Sequence, residues 1–168
     1  PAMAGAIEQA GARLAQVIGA GGKLLVCGNG GSAADAQHFA AEMIGRFEKE
    51  RASWPSIALT TDTSILTAVG NDYGFNEVFA RQVQGLGRKG DALIGISTSG
   101  QSENVLRAVA AAKSQGMFTI GLLGKDGGAL KAQVDCPIVI ANTITARIQE
   151  AHIFILHFWA MRIEQTLA

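Results

Sequence analysis

Two short loops rich in glycine and hydroxyl side chains carry the residue types that bind phosphate. The first is Gly28-Asn29-Gly30-Gly31-Ser32 and the second is Ser97-Thr98-Ser99-Gly100-Gln101-Ser102. Each follows an apolar run typical of a buried strand and precedes a helical pattern. Hydroxyl donors, unpaired N–H groups and the positive end of a helix dipole together attract an anion without a metal or a lysine. The two loops therefore predict one anionic substrate.

A histidine and a glutamate lie four residues apart on the helix predicted after the first loop. Residues at i and i+4 share a helix face, so His38 and Glu42 point the same way, about 6 Å apart along the axis. Such a pair suits a metal ion, an acid/base couple or a plain surface contact. Because the pair begins about two turns from a phosphate-type loop, chemistry is favoured. The chain has no HExxH motif, so a zinc protease has no support.

The last predicted helix is apolar nearly all round, and Gln149, His152 and His157 lie within it. A helix of this kind is expected to be buried on several sides, which in this position requires a second subunit. Its polar groups need partners if they are buried. From this helix alone, each histidine is as compatible with a hydrogen bond in the core as with chemistry.

Helical and strand patterns alternate along the chain and must position these groups. We predict strands at 23–27, 56–60, 92–96, 117–123 and 136–140, and helices at 4–20, 33–46, 63–69, 75–86, 102–115, near 128–133 and at 144–167. Short apolar runs separated by helices predict an α/β fold, a three-layer doubly wound sandwich with a central parallel sheet of about five strands. Ligands of such sheets bind beyond the carboxyl ends of the strands, where both loops fall.

Composition limits the class of protein. The chain has 168 residues, is 48% hydrophobic and has a formal net charge of +0, which predicts one domain over residues 1–168 and no bias toward nucleic acid or membrane. Its two cysteines form neither a metal-type spacing nor a disulfide framework, which favours a reducing cytoplasm. No signal peptide is visible. The most apolar run, 153–161, is shorter than the roughly 20 residues of a membrane span.

Four motifs occur in a fixed order along the chain: CGNGGSAADAQHFAAEMIGRF, VGNDYGFNEVF, GISTSGQSENV and TARIQEAHIFILHF. Over residues 5–168 the sequence resembles the phosphoheptose isomerases of the sugar isomerase (SIS) domain family. GNGGS and STSGxS are unspecific singly, but their ordered combination is specific. The resemblance implies the SIS fold and an aldose-ketose isomerase that converts D-sedoheptulose 7-phosphate to D-glycero-D-manno-heptose 7-phosphate through an enediolate. That reaction is the entry to bacterial heptose and lipopolysaccharide synthesis.

The resemblance also implies the site residues. Glu42 matches the catalytic base and His157 the acid. One zinc ion per subunit would be held by the matching positions His38, Glu42, Gln149 and His157. The positions that match substrate-binding residues are Asn29, Gly30, Gly31, Ser32, Glu42, Asn71, Asp72, Ser97, Thr98, Ser99, Ser102 and Gln149. Members of the family are cytoplasmic homotetramers with active sites at subunit contacts, so we expect a sugar phosphate and further copies of the chain as partners.

The chain departs from the family pattern in two places, and one ligand raises a question of geometry. The first helix of the family is expected to be truncated at Pro1, and Ala146 stands where some members have an aspartate near the sugar. Gln149 and His157 are eight residues apart, about 12 Å of helix rise, near the limit for two ligands of one ion. Either Gln149 lies at a bent helix start or the two side chains come from different subunits.

Three other classes of function share some of these features. A dinucleotide-binding enzyme would use the first loop, but Ala33 replaces its third glycine, and Asp62 lies farther along the chain than the acidic residue of such enzymes. A non-catalytic binding protein is the stronger alternative, because the initiator-associating proteins of bacterial DNA replication share the AQHFAA run. A sugar-phosphate sensor would keep only the phosphate loop. The binding protein and the sensor need no acid or base, whereas this chain has Glu42 and His157.

Overall fold

The structure is a computed structural model that describes residues 2–168. In chain order the elements are α1 (Ala2–Gly19), β1 (Leu24–Gly28), α2 (Gly31–Ile44), β2 (Ser56–Ala58), α3 (Thr63–Tyr73), α4 (Val78–Leu86), β3 (Ala92–Ser97), α5 (Glu103–Ser114), β4 (Phe118–Gly124), β5 (Cys136–Ile140) and α6 (Thr145–Leu167). Two short 3₁₀ helices, Phe75–Glu77 and Ala129–Ala132, precede α4 and β5.

The five strands form one parallel sheet in the order β2-β1-β3-β4-β5, which confirms the predicted α/β sandwich. Every residue of β1 and β3 is buried, as expected of central strands covered on both faces. From β1 the chain moves outward to β2 and then returns to the other side of β1 as β3. The strand order therefore reverses between β1 and β3, which opens a crevice beyond their carboxyl ends.

Two apolar clusters cover the two faces of the sheet. One joins α1, α2 and α6 to the sheet through side chains such as Leu14, Phe39 and Trp159. The other joins α4 and α5 to the opposite face through side chains such as Phe79 and Val109. Because α2 and α6 lie in the same layer, residues on these two helices can meet.

α6 has 23 residues and packs against both α1 and α2. Trp159 is fully buried, and its indole N–H donates to the Ile7 carbonyl at 2.9 Å. Phe154 on the same helix is 72% exposed. Burial of one face with an exposed aromatic on another agrees with a helix that is apolar nearly all round. Among residues 2–168, no helix combines the length and apolar character that a bilayer span requires.

Several boundaries differ from the sequence-based expectations, and local contacts explain them. α2 begins at Gly31 rather than 33, because Gly30 takes a φ of 56° and turns the chain directly into the helix. α3 extends to Tyr73 rather than 69 and ends where Gly74 has a φ of 89°. The predicted helix 75–86 is a 3₁₀ turn followed by α4, and β2 ends at 58 rather than 60.

Candidate active site

The two glycine- and hydroxyl-rich loops lie side by side. β1 and β3 are hydrogen-bonded neighbours in which Gly28 pairs with Ile96, so both loops leave the sheet at the same edge. The first loop leads into α2 and the second into α5. The structure thus places both at the crevice where the strand order reverses.

Hydroxyl groups cluster in the second loop. The Ser97 Oγ lies 2.9 Å from the Ser102 Oγ and 3.4 Å from the Ser99 Oγ, and it accepts the N–H of Gly100 at 3.1 Å. Ser102 is the N-cap residue of α5, but its side chain makes no capping hydrogen bond. The first turn of α5 therefore keeps N–H donors that an anion can bind, next to three hydroxyl groups.

The second loop packs against two glycines that directly precede the 3₁₀ helix Ala129–Ala132. Gly100, Gly127 and Gly128 all have positive φ, at 66°, 91° and 52°. A Cβ atom on Gly100 would overlap the Gly127 carbonyl, and one on Gly128 would lie 2.5 Å from the Gly100 carbonyl oxygen. The Leu130 N–H donates to that same Gly100 oxygen at 3.0 Å. Only residues without a side chain allow the two backbones to approach this closely.

Two asparagines connect the loops. Each of the Asn29 and Asn104 side-chain amides donates to the other's oxygen at 2.9 Å. Asn104 is 3% exposed and lies in the first turn of α5. The reciprocal pair fixes the first loop to the helix that follows the second. The Asn29 amide is thereby engaged with protein, so the substrate role predicted for that side chain stays a prediction.

His38, Glu42 and His157 converge. The His38 Nε2 is 3.1 Å from the Glu42 Oε1 and 2.8 Å from the His157 Nε2. One ligand atom from each of the three side chains lies within 4.8 Å of the others. At 2.8 Å the two ring nitrogens are at hydrogen-bond distance, so one of them donates an N–H that the other accepts. The pair on α2 therefore meets the predicted acid on α6.

Gln149 lies away from this cluster, near the start of α2. A Cβ atom on Gly31 would overlap the Gln149 side-chain amide. Since His38 meets His157 further along both helices, α2 and α6 run in the same direction. Gln149 therefore faces the first loop from α6, and its contact to substrate stays a prediction. Its role as a fourth metal ligand stays a prediction.

Three other polar residues of interest, Asn71, Asp72 and His152, lie elsewhere. Asn71 and Asp72 are exposed at the end of α3, where the Asn71 amide donates to the Asp72 carboxylate at 2.8 Å. His152 is fully buried, and its Nε2–H donates to the Leu123 carbonyl at 3.2 Å. Burial lowers the pKa of His152, and the hydrogen bond to Leu123 partly opposes that shift. His152 is therefore a neutral core histidine, whereas His157 belongs to the cluster.

Sequence analysis did not single out Asp35 or Phe47. Asp35 lies one turn before His38 on α2, and one of its carboxylate oxygens is buried without a hydrogen-bond partner among residues 2–168. Burial raises the pKa of Asp35, and the nearby His38 opposes that rise. The Phe47 ring stacks on the His157 ring with centroids 5.4 Å apart and planes inclined by 28°. Both residues shape the surroundings of the cluster.

Comparison with known proteins identifies close relatives. The SIS domain family model matches residues 2–124. A phosphoheptose isomerase from Nitratiruptor sp. is 64% identical over 144 residues, which are 86% of this chain and 77% of that protein. The solved phosphoheptose isomerase GmhA from Neisseria gonorrhoeae is 50% identical with a TM-score of 0.91, covering 95% of this chain and 85% of that one. The corresponding structure from Francisella tularensis is 45% identical with a TM-score of 0.92 and the same coverage.

Proposed function

We propose that this chain, which belongs to the SIS domain family and within it to the phosphoheptose isomerases, converts D-sedoheptulose 7-phosphate to D-glycero-D-manno-heptose 7-phosphate. It is an aldose-ketose isomerase. Residues 1–168 act as one SIS domain. The reaction takes place in the cytoplasm and supplies heptose for lipopolysaccharide, with neither nucleic acid nor membrane as a partner.

The observation that carries the proposal is the meeting of a carboxylate from α2 with an imidazole from α6. Through His38, which contacts both, Glu42 and His157 come to one place although they are far apart in sequence. A protein that only binds a sugar phosphate requires no such pair. The non-catalytic binding protein considered above is therefore not favoured.

The chemistry of the isomerisation assigns each group a task. The Glu42 carboxylate takes a proton from C1 of the ketose and returns it to C2. His157 donates a proton to the C2 oxygen and then takes the proton of the C1 hydroxyl as the new carbonyl forms, so both Glu42 and His157 return to their starting states. The species between the two steps is an enediolate, whose oxygen charge needs a nearby donor or cation.

The second loop holds the phosphate in this proposal. Ser97, Ser99 and Ser102 supply hydroxyl donors, and the N terminus of α5 supplies N–H groups and a favourable dipole. The Asn29–Asn104 pair keeps the first loop beside this cradle. Gln149, Asn71 and Asp72 are proposed to complete the sugar contacts, together with Gly30, Gly31, Ser32 and Thr98.

The His38, Glu42 and His157 donor set fits a zinc ion. Imidazole nitrogen and carboxylate oxygen are common zinc ligands, and one such atom from each of the three side chains lies within 4.8 Å of the others. We propose that these three side chains hold one zinc ion per subunit. Gln149 lies near Gly31 in the same chain, so we propose that the fourth ligand is a Gln149 supplied by a neighbouring subunit. When bound, it would polarise the sugar oxygens that carry charge in the transition state.

Zinc content provides the first test. Protein purified without chelator is expected to contain close to one zinc per chain by elemental analysis, and a His38→Ala variant much less, because one ligand is gone. His152→Gln is the matched control, since this buried histidine lies outside the cluster. A zinc-free protein that keeps full activity after chelation would contradict the metal and leave Glu42 and His157 as a metal-free acid/base pair.

We also propose a homotetramer with active sites at the subunit contacts. Phe154 is 72% exposed, and a groove of about 250 Å³ between Phe47, Phe154, Phe158 and Met161 has His157 in its wall. Open apolar surface of this kind is typical of an interface. A second copy on this surface would shield the cluster from water.

A charged residue in this surface tests the assembly. Phe154→Asp is expected to reduce the oligomer by light scattering and to lower activity at the same protein concentration, because it buries an unpaired charge at the contact. Phe154→Leu keeps the apolar character and is expected to preserve both properties. A fully active monomer of the unmodified protein would contradict the shared site.

The activity itself is tested with sedoheptulose 7-phosphate in an assay that couples formation of the aldose phosphate to a detectable reaction. We expect turnover that saturates with substrate. Binding of the sugar phosphate without turnover, by protein with its metal supplied, would instead favour the non-catalytic binding protein.

A further inference from the structure

The Glu164 carboxylate, near the C-terminal end of α6, holds the segment that follows α2. Glu164 is 1% exposed and accepts the backbone N–H groups of Phe47, Glu48 and Lys49, each at 2.9 Å. The Arg51 Nε donates to the same carboxylate at 3.2 Å. Burial alone would raise the pKa of Glu164, but the three N–H donors and Arg51 outweigh burial and lower it. Glu164 therefore carries a fully partnered buried charge.

Arg51 connects this carboxylate to the end of α2. Its side chain is 4% exposed and its guanidinium lies 3.7 Å from the centre of the Trp54 ring. One terminal nitrogen donates to the Glu42 carbonyl at 2.7 Å and the other to the Met43 carbonyl at 2.9 Å. These are carbonyls of the last turn of α2, which lack partners within the helix. Arg51 thus caps α2 at the backbone of the proposed catalytic base.

The segment held by Glu164 also reaches the proposed acid. Phe47, whose N–H binds Glu164, stacks its ring on His157. Glu164 lies seven residues, about two turns, after His157 and so shares its helix face. One carboxylate therefore fixes the ring against His157 and, through Arg51, the backbone of Glu42.

A buried ion pair is a poor way to gain stability, since apolar side chains of similar volume often do as well. Its hydrogen bonds are directional, however, and hold partners at defined positions. A general base and a general acid need such placement, because an error of about 1 Å can lower a rate about 100-fold. The network spans the two helices that carry Glu42 and His157.

We propose that Glu164 and Arg51 are positioning residues for the isomerisation, which fix Glu42 and His157 relative to one another across α2 and α6. This inference rests on the proposed function. It goes beyond that function by giving a role to two residues that do not touch the substrate. The phosphate cradle is built by other elements, so its affinity for substrate does not depend on this network.

Glu164→Gln tests the inference, because glutamine keeps the shape but removes the charge and turns a donor toward donors. We expect kcat to fall about 10- to 100-fold with KM within about twofold of the unmodified value. Asp91→Asn is the control. Asp91 is 4% exposed and accepts the Lys23 and Arg88 N–H groups directly before β3. The Asp91→Asn variant is expected to lose about as much thermal stability as Glu164→Gln and to keep the kcat of the unmodified protein.

The ring protons of His157 give a second readout that requires no substrate. Phe47 stacked on His157 shifts these signals by its ring current, and Phe47→Leu supplies the positions expected without it. Glu164→Gln is expected to move the signals toward those of Phe47→Leu, whereas Asp91→Asn is expected to leave them in place. If Glu164→Gln does not fold, Arg51→Lys is expected to give the same pattern in weaker form.

The outcomes separate this inference from the proposed function. An unmodified protein without isomerase activity overturns the proposed function, and the His157 signals still report on positioning. An active protein whose Glu164→Gln variant keeps both kcat and the His157 signals overturns the inference. A change confined to KM, or one that Asp91→Asn reproduces in full, overturns it as well.

Discussion

Glu42→Gln is expected to lower kcat by about 100- to 10,000-fold, with substrate binding retained. Glutamine has nearly the same shape and still forms hydrogen bonds, but it cannot accept a proton from carbon. Because the proposed phosphate cradle is built from other elements, substrate should accumulate on the enzyme. Loss of kcat with little change in KM is the kinetic sign of a group that acts only in the transition state.

Glu50→Gln is the matched control for this experiment. Glu50 is exposed and its only ion pair among residues 2–168 is with Arg46 at 3.6 Å, so its replacement should leave kcat unchanged. Zinc content is measured on the same samples, with zinc added where it is low, because Glu42 is also a proposed ligand. Solvent deuterium appearing at the migrating carbon at an undiminished rate in Glu42→Gln would refute its role as the base.

Gly100→Ala is expected to raise KM at least tenfold and to destabilise the fold. The residue has a φ of 66°, which costs about 1–2 kcal/mol for alanine, and the new Cβ would overlap the Gly127 carbonyl. The Gly127 carbonyl is part of the backbone and cannot rotate out of the way as a side chain could, so either the second loop or the segment around Gly127 must move. A displaced second loop separates Ser97 and Ser99 from Ser102 at the N terminus of α5 and should weaken the proposed binding of phosphate.

Gly90→Ala isolates the backbone contribution. Gly90 has a φ of 94°, but a Cβ there meets nothing within 4 Å. Urea unfolding should show a smaller loss of stability for Gly90→Ala than for Gly100→Ala, and kinetics should show no change in KM. If the two variants lose the same stability and both keep KM, the contact of Gly100 with Gly127 and Gly128 has no part in binding the substrate.

The order of helices and strands could be predicted because each element has its own local signal. The apolar run of β1 and the glycines after it define a buried strand and a turn without reference to the rest of the chain. His38 and Glu42 share a face because of helix geometry alone. The resemblance to a known family added the expectation that His157 joins them.

Other parts of the site depend on packing between distant segments. His38 and His157 are 119 positions apart, and their contact exists only because α2 and α6 lie in one layer with the same direction. Glu164 has the polar neighbours Arg162, Gln165 and Thr166, and a charged residue in such a setting is usually solvent-exposed. Its burial is set by the segment that folds back over it from 113 positions earlier. No local pattern predicts that contact.

The reciprocal amide pair between Asn29 and Asn104 also bears on how the protein ages. An asparagine followed by glycine, here Asn29-Gly30, deamidates readily when the next backbone nitrogen can attack the side-chain carbonyl carbon. In the folded protein both ends of the Asn29 amide are held by Asn104, so the side chain cannot rotate to meet that nitrogen. Chemical damage at this loop is therefore confined to chains that have opened, and the lifetime of an intact first loop follows the lifetime of the fold.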